Sequence, residues 1–205
     1  MLKPQDVLLL LKIVARGPEP WSYSQLAWEL GMSASEVHAG VRRTAESGLL
    51  HVDQGWGVPD ARGLDEFLVH GVRYVWAARP GGLVMGIPTG AAAEPLASAL
   101  PSTGDPPTVW PDPDGGLRGL SIEPLYKSVP VAARRDPVLH ELLALVDGIR
   151  SGPDRVRDLA VRQLRKRLGT SGAGVLSQVR TLRGGGAAST SNTYQNGKEK
   201  RRLHR

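Results

Sequence analysis

The chain has no cysteine among its 205 residues. Disulfides, iron–sulfur clusters, cysteine zinc sites and thiol nucleophiles are thereby excluded, and a reducing, cytoplasmic setting is expected. Aromatic residues are scarce at 5%, with a single Phe, although 40% of the residues are hydrophobic. The core must therefore be built from Leu, Val and Ala, which favours helices. Long apolar runs are missing as well. The early run Val7 to Leu11 meets Lys12 far short of the roughly 20 residues that a membrane span needs. Arg16-Gly17-Pro18 then ends the pattern without a small-residue cleavage site, so neither a membrane segment nor a signal peptide is expected.

The overall net charge of +6 is unevenly placed. Residues 1–149 hold 12 Lys and Arg against 17 Asp and Glu, whereas residues 150–205 hold 14 against 3. The basic balance that invites a polyanionic partner belongs to the C-terminal quarter, and the rest of the chain is acidic.

Apolar spacing close to 3.6 residues predicts a helix over 4–15, with Pro4 in its first turn. A second helix begins at Tyr23, with Ser22 and Gln25 as a capping box, and stops at Gly31. Ser33 and Glu36 repeat that box for a third helix, 33–47, ended by Gly48. Strands are expected at 49–52 and 56–58, with Gln54-Gly55 as the turn, and a helix at 64–76 with Leu64, Phe67, Leu68, Val72, Val75 and Trp76 on its apolar face. Ten of the 16 prolines fall between 79 and 130, which excludes a long helix there. Short strands are expected at 83–87, 108–110 and 117–122, the last two joined by the turn Pro111 to Gly116. Asp136-Pro137 opens an apolar helix that Gly152-Pro153 breaks, and a basic amphipathic helix ends at Gly169. Beyond about Gly184 the composition predicts disorder. The expected class is mainly α (α+β), in four parts: 1–78, a β-containing extension or linker at 79–130, a C-terminal helical pair at 131–169, and a basic tail at 170–205.

Catalytic and cofactor signatures are absent. His38, His51, His70, His140 and His204 are scattered without metal-ligand spacing, and there is no nucleophile elbow, phosphate loop or dinucleotide fingerprint. Asp112 and Asp114, flanked by Pro111, Pro113 and Gly115, read as turn formers rather than an acid–base pair. No enzymatic reaction, metal or cofactor is expected. Trp56 and Trp110 are expected to pack inward more than to serve as exposed anchors. The arginine-rich last helix reads first as a solvated face and second as a holder of phosphate or an acidic partner.

The stretch Leu26-Ala27-Trp28-Glu29-Leu30-Gly31-Met32-Ser33-Ala34-Ser35-Glu36-Val37, continuing through Val41, Arg42, Arg43 and Gly48-Leu49-Leu50, resembles the winged helix-turn-helix of MarR-like bacterial regulators. The match covers a quarter to a third of the chain. In physical terms Ala27 is small where two helices cross, Gly31 permits the tight turn, Ser33 caps the third helix, and Val37 and Val41 face inward. The pattern is departed from at Gly40, in place of an apolar residue, at Glu36, an acid on the third helix, and in the hairpin 51–58, which lacks Lys and Arg. Gly40→Ala is expected to add about 0.5–1 kcal/mol unless a close approach requires glycine.

The resemblance implies a cytoplasmic transcriptional regulator, a dimeric repressor whose third helix enters the major groove of double-stranded DNA. It nominates Ser33, Ala34, Ser35, His38 and Ala39 for the groove, Arg42 and Arg43 for guanine edges or phosphates, and Ser22 and Tyr23 for a phosphate at the start of the second helix. The alternative is a protein-interaction module, such as an antitoxin neutralising a neighbouring toxin.

Overall fold

The structure is a computed structural model that describes residues 1–53, 56–101 and 104–170. Both the Gln54-Gly55 turn and the expected disorder beyond Gly184 lie outside the described residues. The chain has an α+β architecture. Three N-terminal helices lead it: α1 (Pro4–Arg16), α2 (Tyr23–Leu30) and α3 (Ala34–Glu46). Strands β1 (Leu50–Asp53) and β2 (Trp56–Pro59) form an antiparallel hairpin, with Leu50 opposite Pro59 and Asp53 opposite Trp56. Then come α4 (Ala61–Glu66), a π-turn (Phe67–Gly71) and α5 (Val72–Val75). The middle segment carries β3 (Leu83–Pro88), α6 (Leu96–Ala99), β4 (Thr108–Pro111) and β5 (Leu117–Ser121), and α7 (Val129–Arg135), α8 (Pro137–Ser151) and α9 (Asp154–Leu168) close the described chain. Among the described residues no helix is long and apolar enough to cross a membrane.

Helix α1 shows why an aliphatic sequence suffices for a core. Val7 to Leu11 and Ile13 are buried on nearly all sides, each large apolar side chain contributing about 1.5–3 kcal/mol of transfer free energy. One apolar cluster runs from Val7 through Leu64, Trp110 and Leu145 to Leu168, so the N-terminal helices, the middle sheet and the last helices share a core. Trp110 is 1% exposed, in line with the inward packing expected of it.

One expectation needs correction. The helix placed at 64–76 begins at Ala61, because Asp60 caps it by accepting from the amides of Arg62 and Gly63, and it ends at Val75. Its π-turn inserts an extra residue, which rotates the following turn out of the 3.6-residue register. Leu68 and Val72 stay buried while Val75 is left 59% exposed.

The sequence leaves the pairing of the middle strands open. β4 and β5, joined by the expected turn, run parallel, Thr108 beside Leu120, and β3 pairs antiparallel with both, closing a three-stranded ring. Glycines permit so tight a ring. A Cβ on Gly86 would lie 2.1 Å from the Trp110 carbonyl oxygen, and one on Gly119 would lie 2.2 Å from that of Pro107. Asp112, placed in this turn by sequence, does act as a turn former, its carboxylate accepting from the Asp114 amide at 2.9 Å.

The ring is tied to α8 through Asp147. Its carboxylate accepts from Thr89 Oγ1 at 2.8 Å and Trp110 Nε1 at 2.6 Å, and it pairs with Arg150 Nη1 at 2.6 Å. Burial pushes this carboxyl above its usual range, against the pull of Arg150 and the two neutral donors. Removing one partner of a buried pair leaves the other charge uncompensated. Asp147→Ala is therefore expected to cost about 3–5 kcal/mol, measured as a lower urea midpoint than that of the parent chain.

Candidate nucleic-acid interface

The α2–α3 corner is built by local capping. Ser22 Oγ accepts from the Gln25 amide at 3.2 Å, and Gly31 adopts φ 62°, the left-handed conformation that ends α2. Ser33 Oγ accepts from the Glu36 amide at 3.2 Å, while Glu36 accepts from the Ser33 amide at 2.8 Å. The capping box read from sequence is thus present at α3. Val37, Gly40, Val41 and Thr44 form its buried face.

Of the nominated residues, Ser33, Ala34, Ser35, His38 and Arg42 lie exposed along α3, and Ala39 is half-buried. Ser22 is exposed at the start of α2. Tyr23, half-buried, sets its ring 5.1 Å from that of His38 and edge-on to Trp21, so the start of α2 is joined to the outer face of α3. Trp21 Nε1 in turn donates to the Gly57 carbonyl at 3.0 Å and fixes β2 beside this corner. Arg42 is 72% exposed, with Glu46 at 3.7 Å as its only carboxylate neighbour among the described ion pairs.

Arg43 stands apart from that group. Its guanidinium makes a bidentate pair with Asp6 of α1, at 2.8 and 2.6 Å, with the Asp6 side chain fully buried. The fork that the resemblance assigns to DNA is occupied inside the protein, a correction to its nomination. Spacing alone could not separate Arg42 from its neighbour, because the acid that captures Arg43 lies on another helix.

Gly40 has a comparable explanation. An added Cβ would sit 3.0 Å from Leu9 Cδ2 and 3.2 Å from Asp6 Oδ1. Neither can yield easily, since Leu9 is fully buried and Asp6 is held by Arg43. The close approach that would require glycine is therefore an approach to α1, and the expected sign of Gly40→Ala reverses. A loss of about 1 kcal/mol is predicted, measured by chemical denaturation.

Sequence reasoning missed the segment that reaches the corner. Tyr126 Oη donates to Glu36 Oε1, the Arg135 guanidinium donates to the Trp28 carbonyl, and Arg135 also lies 4.9 Å above the Trp28 ring. No local pattern pointed there, because Tyr126 and Glu36 are 90 residues apart. The bonds from Tyr126 and Ser33 hold the Glu36 carboxyl at about 2, well below its usual value of 4.5. A depressed folded value stabilises above the ordinary pKa and loses that contribution as pH falls. Tyr126→Phe should therefore lower the melting temperature at neutral pH, and the gap from the parent chain should narrow as pH drops from about 4.5 towards 2.

Among the described residues no group of three or more His, Asp or Glu side chains is placed to hold a metal ion. No family model, curated protein or solved structure matches the chain.

Proposed function

We propose that the chain is a sequence-specific DNA-binding regulator in which α2, α3 and the β1–β2 hairpin act as a winged helix-turn-helix, with α3 as the recognition helix. The observation that carries this reading is the outer face of α3. Ser35, His38 and Arg42 are exposed together on a helix whose opposite face is locked to α1. Such a helix can enter a major groove without giving up its packing against the core. His38 and Arg42 supply hydrogen-bonding groups for base edges, while Ser33, Ala34, Ser35 and Ala39 are small enough to let the backbone approach. Ser22, at the start of α2, is suited to a phosphate. Two half-sites read by a homodimer would suit this geometry, and no reaction is required.

The test is a titration of the DNA upstream of the chain's own gene against a scrambled duplex, followed by fluorescence anisotropy. His38→Ala with Arg42→Ala should weaken binding to the specific duplex by about 1–3 kcal/mol for each base edge no longer hydrogen-bonded, with the melting temperature lowered only slightly by loss of the Tyr23–His38 ring contact. Arg43→Ala should act differently, lowering stability by about 2–3 kcal/mol because buried Asp6 is left without its partner. Equal affinity of the parent chain for both duplexes would remove sequence-specific regulation, and full affinity in the folded double variant would remove α3.

A further inference from the structure

Between α5 and α9 the molecule presents a basic cleft that α3 does not share. One wall is the π-turn and α5, carrying His70, Arg73 and Tyr74, and the other is α9, carrying Arg157, Arg162 and Arg165. The cleft is open to solvent with a volume of about 420 Å³, and a second open hollow of about 730 Å³ shares Arg162 and Arg165 with it and adds Lys166. Acidic neighbours only partly offset this charge. Arg157 pairs with Asp154 at 2.6 Å, Arg165 pairs with Asp65 at 3.1 Å, and Asp158 lines the cleft. Among the described residues, Arg73, Arg155, Arg162 and Lys166 take part in no ion pair.

The spacing on α9 selects the kind of ligand. Positions 155, 158, 162 and 166 are separated by 3, 4 and 4 residues, so Arg155, Arg162 and Lys166 share one exposed ridge in which Asp158 stands between the two arginines, and Arg155 continues the ridge beyond the cleft lining. From Arg155 to Lys166 the ridge extends about 16 Å at 1.5 Å per residue. A single phosphate would call for convergent donors, whereas a row of this length suits an anion that repeats. The chain's own continuation is no candidate occupant, since residues 171–205 carry seven Lys and Arg against one Glu and would be repelled.

We propose that the α5–α9 cleft is a second DNA-binding surface, which grips the phosphate backbone of a duplex and contributes affinity without reading sequence. The proposal rests on the reading of the chain as a DNA-binding protein but not on α3 being the part that reads bases. Guanidinium groups suit the task because their forked donors match phosphate oxygens. The π-turn contributes by carrying His70 on the wall opposite α9.

The experiment measures log K against log salt for the full chain on specific and scrambled duplexes. Arg162→Gln with Lys166→Gln should reduce the magnitude of the slope by roughly 1.8 and weaken both duplexes by the same factor. Arg73→Gln, on the opposite wall, should remove roughly 0.9 by itself. These exposed or half-exposed side chains make no ion pair, so circular dichroism should show unchanged melting. An unaltered slope in the folded variants overturns the proposal, as does weakening confined to the specific duplex. Competition by polyglutamate that the variants abolish, with duplex affinity intact, would assign the cleft to an acidic protein and also overturn it. The two readings fail separately. Loss of discrimination in the α3 variant with no slope change in the cleft variants removes the cleft alone, and a slope change without any sequence discrimination removes the α3 reading alone.

Discussion

A helix packed on all sides must satisfy its polar groups inside the protein, and α8 does so through the Asp147 carboxylate. That one group receives Thr89 beside β3, Trp110 of β4 and Arg150 of α8 itself. Arg150 extends the network by donating from Nε to the Trp76 carbonyl at 2.8 Å, which brings in the end of α5. The middle sheet, the π-turn region and the last helices are thereby held in one arrangement by charge-assisted bonds in a low-dielectric interior. At the other end of α8, Asp136 caps the helix and takes Lys12 of α1 at 2.7 Å, while Lys12 also faces Glu29 of α2 at 2.9 Å. The N-terminal helices are joined to the rest by a buried cation shared between two acids.

These links explain which parts of the fold could be read from the sequence. Capping residues and helical periodicity act over three or four positions, and α2, α3 and α8 start at Ser22, Ser33 and Asp136 as their caps require. The order of strands depends on where backbones can approach, and that is decided by glycines at 86, 115 and 119 meeting partners far along the chain. A turn-rich stretch such as Pro111 to Gly116 is therefore legible as a turn, while the parallel run of the two strands it joins is not. The π-turn is another case: its residues fit a helical period, and the extra residue shows only in the exposure of Val75.

The candidate site was legible to the same depth. Position along α3 identified the exposed face from Ser33 to Arg42, because amphipathicity encodes which side is buried. It did not reveal that Arg43 is bound to Asp6, nor that Tyr126 and Arg135 reach the α2–α3 corner, since each of these bonds bridges distant segments. Gly40 illustrates the limit well. As an isolated helical residue it is a weakness, and against Leu9 and Asp6 it is what allows α1 and α3 to cross closely.

The closed ring of β3, β4 and β5 has a bearing on self-association. A sheet wrapped onto itself offers no row of unpaired amides and carbonyls along a free flank, so another chain cannot extend it by adding a strand. Among the described residues, open flanks remain only on the two-stranded hairpin of β1 and β2, whose four-residue strands give a template a single short repeat in length. Within the described residues, contacts between copies would therefore fall chiefly to side chains, because the backbone of the ring has no open flank from which a β-aggregate could extend.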